Sequence, residues 1–177
     1  DAKTATQFNL VRYGNVISST GSVIPVFRQQ LEDQGFVTLT DPEMTRFWLT
    51  VGDAVTLINL ASVESEGGTI LIPRCPSISM KALASVVTDK VKVIGLRFGE
   101  KRHESLINEV EAKYIDPFPV EPYFSFRSGG LGSMYAVRLY PTTTHERENA
   151  FGPYSSDNPD HVLTAGELQK MIEEAPE

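Results

Sequence analysis

Residues 8–25 read FNLVRYGNVISSTGSVIP, and the change of character inside this stretch decides the fold class. Phe8 to Tyr13 alternates and concentrates apolar residues as a buried strand does, and Gly14 to Gly21 reads as a loop of small polar residues. A helix follows. Ser22 stands as N-cap, Pro25 lies in the first turn, Ile24, Phe27 and Leu31 share one side, and Gly35 terminates it. Strand, polar loop and helix in that order are the unit of an α/β protein, and the loop is where such a unit holds a ligand.

The unit recurs downstream. FVTL (36–39) and TRFWL (45–49) flank the turn TDPE and are expected to form a strand pair. TVGDAVTLINLASV (50–63) places Val51, Ala54, Val55, Ile58 and Ala61 at helical spacing, with Thr50 as cap. GGTILIP (67–73) reads as a short strand. SISMKALASVVTD (77–89) reads as a helix entered through Ser79, with Leu83, Val86 and Val87 as its apolar positions, and KVKVIGL (90–96) reads as a strand. Beyond Gly99 the pattern loosens. EKRHESLINEV (100–110) is expected to be a short helix, and AKYIDPF, EPYFSFR and SMYAVRLY to be β-prone runs. Pro141 to Pro159, rich in Thr, Asn, Ser, Pro and Gly, is expected to be loop. LTAGELQKMIEEA (163–175) closes the chain with a helix capped by Thr164, with Glu167 at the capping-box position.

The chain has 177 residues, enough for one compact domain or a piece of a larger protein, and no apolar run long enough to span a membrane. Sixteen basic and 23 acidic side chains leave a net charge of −7, so no global field attracts a polyanion and nucleic acid is not an expected partner. An anionic ligand must be held by a few local cations. The single cysteine, Cys75, has no disulfide partner and no companions for a zinc site, which fits a reducing cytoplasm; it reads as a packing residue. The opening DAKTATQFNL carries no initiator methionine and no signal core, and suggests a chain cut open upstream.

Arg12, Arg46 and Arg97 stand at or beside the ends of expected strands, where ligands collect in open α/β sheets. Each is a phosphate clamp by virtue of its planar fork, or the partner of one of the many carboxylates. RFGEKRHES (97–105) sets a glycine between a strand end and a short helix, where backbone amides also meet anions, although charge runs of this kind are commonly solvated faces. His103 and Glu104 have no further ligand at usable spacing for a metal. His145 and His161 lack a paired nucleophile and read as surface residues, and Trp48 beside Phe47 reads as core. The sequence contains no glycine-rich phosphate loop.

Taken in order, VRYGNV, GSVIPVF, LTDPEMTRFWLT, ILIPRCPSISMKALA, VIGLRFGEKRHESLI and YSSDNPDHVLTAGEL resemble the C-terminal half of the UDP-N-acetylglucosamine 4,6-dehydratases of polysaccharide biosynthesis, which are extended short-chain dehydrogenases. The resemblance covers nearly the whole chain. It implies a Rossmann-like α/β fold with a smaller substrate-binding subdomain. Residues 1–35 would be the last part of the cofactor-domain sheet with its pocket loop, 36–140 the substrate-binding region, 141–163 a loop and 164–177 the C-terminal helix.

By the same resemblance Tyr13 would border the nicotinamide of NADP (or NAD), and Asn15 and Ser22 would meet the nucleotide-sugar. Thr38 and Leu39 would lie beside the uracil, Arg46 and Arg97 on the diphosphate, and Glu100 on a ribose hydroxyl, with Lys101 and His103 close by. The family's reaction removes hydride from sugar carbon 4, loses water across carbons 5 and 6, and returns the hydride to carbon 6. The acid, base and cofactor turn would lie upstream of Asp1, leaving this chain inactive by itself, and the full-length protein is expected to form a homo-oligomer. A UDP-sugar epimerase on the same scaffold and a non-catalytic nucleotide-sugar-binding module are the alternatives. The sequence departs from the family at Thr20, where arginine is usual, at Phe98 (proline) and at Arg102 (an aliphatic residue). Tyr13, Tyr114, Tyr123, Tyr135, Tyr140 and Tyr154 all lack the lysine four residues on that marks the family's catalytic tyrosine.

Overall fold

A computed structural model describes residues 8–17, 19, 21–63, 70–114, 117–119, 135–137, 152–159 and 161–174. The stretch that opened the sequence analysis does not form one strand. It divides into β1 (Leu10–Val11), parallel to β5, and β2 (Asn15–Val16), parallel to β4, so the segment expected to be a loop contains a strand. The Arg12 N–H donates to the Leu71 carbonyl at 2.9 Å and the Ile17 N–H to that of Leu49 at 2.9 Å, extending each ladder on its own neighbour. Gly14 lies at the changeover, where a Cβ would sit 2.4 Å from Phe47 Cβ and 2.5 Å from the Phe47 carbonyl oxygen. Only a residue without a side chain lets the chain cross β4 this closely.

Helix α1 (Val23–Gln34) runs from Ser22 to Gly35, as its punctuation predicts, and Gly35 adopts φ 77°, the left-handed region natural to a helix-terminating glycine. Ile24 and Phe27 are buried in the core, but the Ser22 side chain makes no capping bond. Strands β3 (Val37–Leu39) and β4 (Thr45–Leu49) form where expected and do not pair with each other. Asp41 closes the turn between them by accepting the Glu43 N–H at 2.9 Å. The turn is local, but the pairing is chosen by long-range packing: β3 joins β7, and β4 joins β2 and β6.

Helix α2 (Val51–Val63) is capped by a reciprocal pair: Thr50 Oγ1 accepts the Asp53 N–H at 3.1 Å, and Asp53 Oδ2 accepts the Thr50 N–H at 3.0 Å. It buries Ala54, Leu57, Leu60 and Ala61, leaving Val51, Val55 and Ile58 exposed, contrary to the stripe read from spacing. The helix is apolar over most of its circumference, so periodicity alone supports two faces.

The remaining elements are β5 (Ile70–Leu71), β6 (Ser77–Ser79), α3 (Met80–Ser85), β7 (Val91–Val93), β8 (Ser105–Ile107), a 3-10 turn at Glu111–Tyr114, β9 (Pro117–Pro119), β10 (Tyr135–Val137), β11 (Tyr154–Ser155) and α4 (Ala165–Glu173). Residues 105–107, expected in a helix, form β8, which pairs antiparallel with β11 inside the stretch expected to be loop. EPYFSFR and His145 lie outside the described residues.

At the centre β4 runs parallel to β2 and antiparallel to β6, and β3 runs parallel to β7. Alternate β4 side chains feed opposite cores, as the two-residue period of a strand requires. Trp48 packs with Ile17, Ile24, Phe27, Val37, Leu39, Ile78, Leu83, Leu163 and Leu168, and Phe47 and Leu49 pack with Ala54, Ile72, Cys75, Leu106 and Ile107. Phe47 also meets the ring of Tyr154, with centroids 4.7 Å apart. Cys75 is buried as expected, and loss of solvent pushes its thiol up to about 12, which leaves it unreactive. Among the described residues no helix is long and apolar enough to cross a membrane, and no cluster of His, Cys, Asp and Glu could hold a metal.

Candidate functional site

A cleft of about 280 Å³ opens between α1, the ends of β2 and β3, the face of β4 that carries Arg46 and Trp48, and the loop after β7. Asn15, Thr38, Leu39, Arg46, Arg97 and Glu100 all line it, so residues spread over 86 positions of sequence meet in one place. Each arrives by a local rule. Asn15 stands opposite Trp48 in the β2–β4 register. Thr38 and Leu39 end β3. Arg46 and Trp48 share one face of β4. Arg97 and Glu100 form a turn in which the Glu100 N–H donates to the Arg97 carbonyl at 3.0 Å and Glu100 Oε2 accepts the Arg97 N–H at 3.1 Å. Gly99 enters that turn at φ 80°.

The two arginines of the cleft are in different states. Arg46 is mostly buried; its Nη1 donates to the carbonyls of Thr45 (2.7 Å) and Arg102 (3.0 Å), its Nη2 to that of Lys101 (2.9 Å), and its Nε lies 3.5 Å from Glu104 Oε1. The fork therefore fastens the 101–104 loop to β4, with one Nη2 hydrogen left for a ligand. Arg97 is exposed, and its guanidinium meets no partner among the described residues. Arg12 stands away from the cleft, donating to the Leu106 carbonyl at 2.8 Å and paired with Glu111 at 2.9 Å. That bond, with its charge, holds the Glu111 carboxyl below its ordinary value.

The other expected contacts do not line the cleft. Tyr13 is wedged between the cluster around Phe47 and the cluster of Leu57, Leu60 and Leu71. The Ser22 hydroxyl is buried without a hydrogen-bond partner, one residue before Val23 of the cleft wall. Lys101 is exposed and contributes its carbonyl to Arg46.

His103 lies on the other side of β4, in a separate cavity of about 440 Å³. Its Nδ1 is 2.8 Å from Thr45 Oγ1, which is 2.7 Å from Ser156 Oγ, and Ser156 accepts the Glu104 N–H at 2.8 Å. This network ties β4, β8 and β11 together. His161, read as a surface residue, is half-buried with Nε2 3.3 Å from Glu167 Oε1.

Arg102, unusual for the resemblance, also has a structural role: its Nε donates to Asp41 Oδ2 at 2.7 Å. The Glu43 N–H first and Arg102 second hold the Asp41 carboxyl below the ordinary carboxylate range.

Gln30, Phe27, Thr40, Met44, Trp48, Met80 and Ile94 also line the cleft and escaped the sequence reading. Helical spacing of Val23, Phe27 and Gln30 is the one local signal that could have pointed to part of this wall.

The cleft gives the comparisons with known proteins a physical setting. Over 174 residues the chain is 40% identical to a UDP-N-acetylglucosamine 4,6-dehydratase (inverting) of Campylobacter jejuni, covering 94% of this chain and 51% of that protein. It is 36% identical over 117 residues to a UDP-glucose 4-epimerase of Rickettsia bellii, covering 63% of this chain and 34% of that protein. The X-ray structure of Pen from Bacillus thuringiensis superposes with a TM-score of 0.74 at 30% identity, covering 97% of this chain and 50% of that one. The fold is thus α/β of the Rossmann-like short-chain dehydrogenase kind, and the chain spans about half the length of the curated dehydratases it matches. With residues 1–121 matching its family description, the chain belongs to the polysaccharide biosynthesis protein family.

Proposed function

We propose that this chain is the nucleotide-sugar-binding half of a UDP-N-acetylglucosamine-like 4,6-dehydratase that serves surface polysaccharide biosynthesis in the cytoplasm. The observation that carries the proposal is the convergence of Asn15, Thr38, Leu39, Arg46, Arg97 and Glu100 on one cleft. Arg97 brings an exposed guanidinium, without a partner among the described residues, to a protein whose net charge would otherwise repel an anion, and a diphosphate supplies the oxygens that its fork needs. Glu100 presents a carboxylate that accepts hydrogen bonds from a ribose. Arg46 acts mainly by holding the 101–104 loop that follows these groups, and Asn15 reaches the sugar from the β2 side of the cleft. Ser22, Lys101 and His103 act from outside the cleft wall, through the helix and loop they belong to.

The dinucleotide assigned to the dehydratase reaction, NADP or NAD, supplies hydride transfer when bound. The residues around Tyr13 do not fit it unaided, because Tyr13 packs between apolar clusters and no phosphate-cradling glycine turn adjoins it. The cofactor contacts and the catalytic acid and base therefore belong to other parts of the protein, and this chain by itself is inactive. We assign residues 1–35 to the boundary with that cofactor region, 36–140 to the substrate-binding region and 164–177 to a closing segment that contains α4, and the complete protein to a homo-oligomer. The similarity to a UDP-glucose 4-epimerase favours epimerisation as the second reading, since the same cleft serves either reaction.

A thermal melt with millimolar UDP-N-acetylglucosamine, UDP or AMP tests the proposal. Ligand at ~100 times its dissociation constant adds ~2.7 kcal/mol to a two-state fold. Both uridine ligands should raise the melting temperature and AMP should not. Equal shifts with all three, or a cooperative melt that none of them moves, would refute the assignment.

A further inference from the structure

Strand β7 has one edge paired and one edge open. The Val37 N–H donates to the Lys90 carbonyl at 2.9 Å and the Ile94 N–H to the Leu39 carbonyl at 2.8 Å, and Thr38 stands opposite Lys92 in the register. In a parallel ladder successive residues turn their backbone groups to opposite edges, so Lys92 bonds β3 while Val91 and Val93 turn theirs outward. The sheet ends there. Strands β3 and β7 form a two-stranded unit, and the N–H and C=O groups of Val91 and Val93 have no backbone partner among the described residues. Such a row of open backbone groups is a template for another strand.

The side chains of the same strand sort by face. Val91 and Val93, both exposed, line a groove of about 310 Å³ together with Leu39, Pro42 and Thr88. Lys92 stands on the other face, its Nζ 5.7 Å from the centre of the Phe36 ring, and Lys90 shares that face by the two-residue period of a strand. An incoming strand therefore meets valines on one side and lysines on the other. Residues 90–102 hold five lysines and arginines against one glutamate, a local positive field in a chain of net charge −7. These features also select among occupants. Antiparallel pairing of both outward valines with those of a second copy sets Lys92 opposite Lys92, like charge against like charge. A lipid surface would leave the open N–H and C=O groups against hydrocarbon without a partner. An extended peptide in which acidic and apolar residues alternate satisfies the backbone groups, the groove and the lysines together.

We propose that the open edge of β7 accepts an extended acidic segment of a partner protein as an additional strand, with its apolar side chains in the groove over Val91 and Val93 and its carboxylates beside Lys90 and Lys92. This docking surface goes beyond the nucleotide-sugar reading of the cleft and does not depend on it.

Fluorescence anisotropy of the full chain with labelled hexapeptides tests it, using alternating Glu and Val, alternating Lys and Val, and a block of Glu followed by a block of Val. Wild type should bind the alternating Glu and Val peptide about tenfold more tightly than either of the others. Val93→Pro removes an N–H that the β3 ladder does not use, so the melting temperature should hold while affinity for that peptide falls about tenfold. Lys92→Glu should reverse the preference in favour of the Lys and Val peptide, a change that loss of folding cannot produce. Absence of that reversal would overturn the proposal, as would equal affinity for the block peptide, unchanged affinity in a folded Val93→Pro, or a folded wild type that binds none of the peptides. A dimer in sedimentation velocity that Val93→Pro dissolves would assign the edge to a second copy, and binding to phosphatidylglycerol vesicles that Lys92→Glu abolishes would assign it to a lipid surface; without peptide binding, either result overturns the proposal.

Discussion

Arg46 and Arg97 line the same cleft, and at the scale of single residues they separate a scaffold from a ligand contact. Removing the Arg46 guanidinium takes its donor from the Lys101 carbonyl and leaves the Arg102 carbonyl with the Thr45 N–H alone, which loosens the 101–104 loop from β4. Arg46→Ala should therefore lower stability by about 1–3 kcal/mol in chemical denaturation, and weaken UDP through the displaced loop. Arg97→Ala removes an exposed side chain without a partner among the described residues, so stability should stay within about 0.5 kcal/mol while UDP affinity falls. Equal effects on stability from the two variants would contradict this division. Both arginines were legible as candidate clamps from their places near strand ends. That one of them is spent on the protein's own backbone was not legible, because two of its carbonyl acceptors, those of Lys101 and Arg102, lie more than 50 residues away.

Elements differ in how their ends are closed, and the caps make a graded test. Thr164 and Glu167 form a full capping box at α4: Thr164 Oγ1 accepts the Glu167 N–H at 3.2 Å and Glu167 Oε2 the Thr164 N–H at 2.8 Å. Since α4 buries Leu168 and Met171 in the main core, fraying there is felt globally, and Thr164→Ala should cost about 1 kcal/mol. Ser22 occupies the same position at α1 without a side-chain bond, and its hydroxyl is buried and unpaired. Ser22→Ala should change stability by less than about 0.5 kcal/mol or raise it slightly, since no bond is lost and an unsatisfied hydroxyl is removed. A cost for Ser22→Ala equal to that for Thr164→Ala, measured by denaturation midpoints, would show that cap identity alone governs both ends.

For the whole molecule, acid is the informative perturbation. The Arg12 bond lowers the Glu111 carboxyl, the Thr164 N–H lowers Glu167, the Glu43 N–H and Arg102 lower Asp41, and the Ser155 hydroxyl lowers Asp157. A carboxyl held lower in the folded state gives the unfolded chain more bound protons at a given pH, so stability rises with pH across that range. The contribution is complete above the ordinary values of 3.8 for Asp and 4.5 for Glu, and disappears as pH falls through the lower folded values. Melting temperatures should thus hold steady from pH 7 to 5 and fall below that, and the double variant Asp41→Asn, Glu111→Gln should show a shallower fall. An unchanged acid limb in the double variant would assign acid sensitivity to other groups. These pairs join distant segments, Arg12 to the 3-10 turn and Asp41 to the loop after β7, so acid should loosen the frame around the cleft before it exposes the core.

What the sequence by itself determined are the features written within one turn of helix or a few residues of strand. Gly35 ends α1, Thr50 and Thr164 begin helices, TRFWL is extended, and the motif around Gly99 makes a tight turn, because each depends on local sterics or on a bond to a near neighbour. The tertiary structure alone decided which strands pair, how residues 8–17 are divided between two sheets, which face of α2 is buried, and that residues 105–107 extend against β11. It also decided the membership of the cleft, admitting Gln30 and Trp48 and leaving Tyr13, Lys101 and His103 outside its wall. The reason is the range of the forces. A cap is satisfied by the residue three positions on, whereas strand pairing, the buried face of an all-round apolar helix and the last donors of an arginine are settled by competition among partners far apart in the chain.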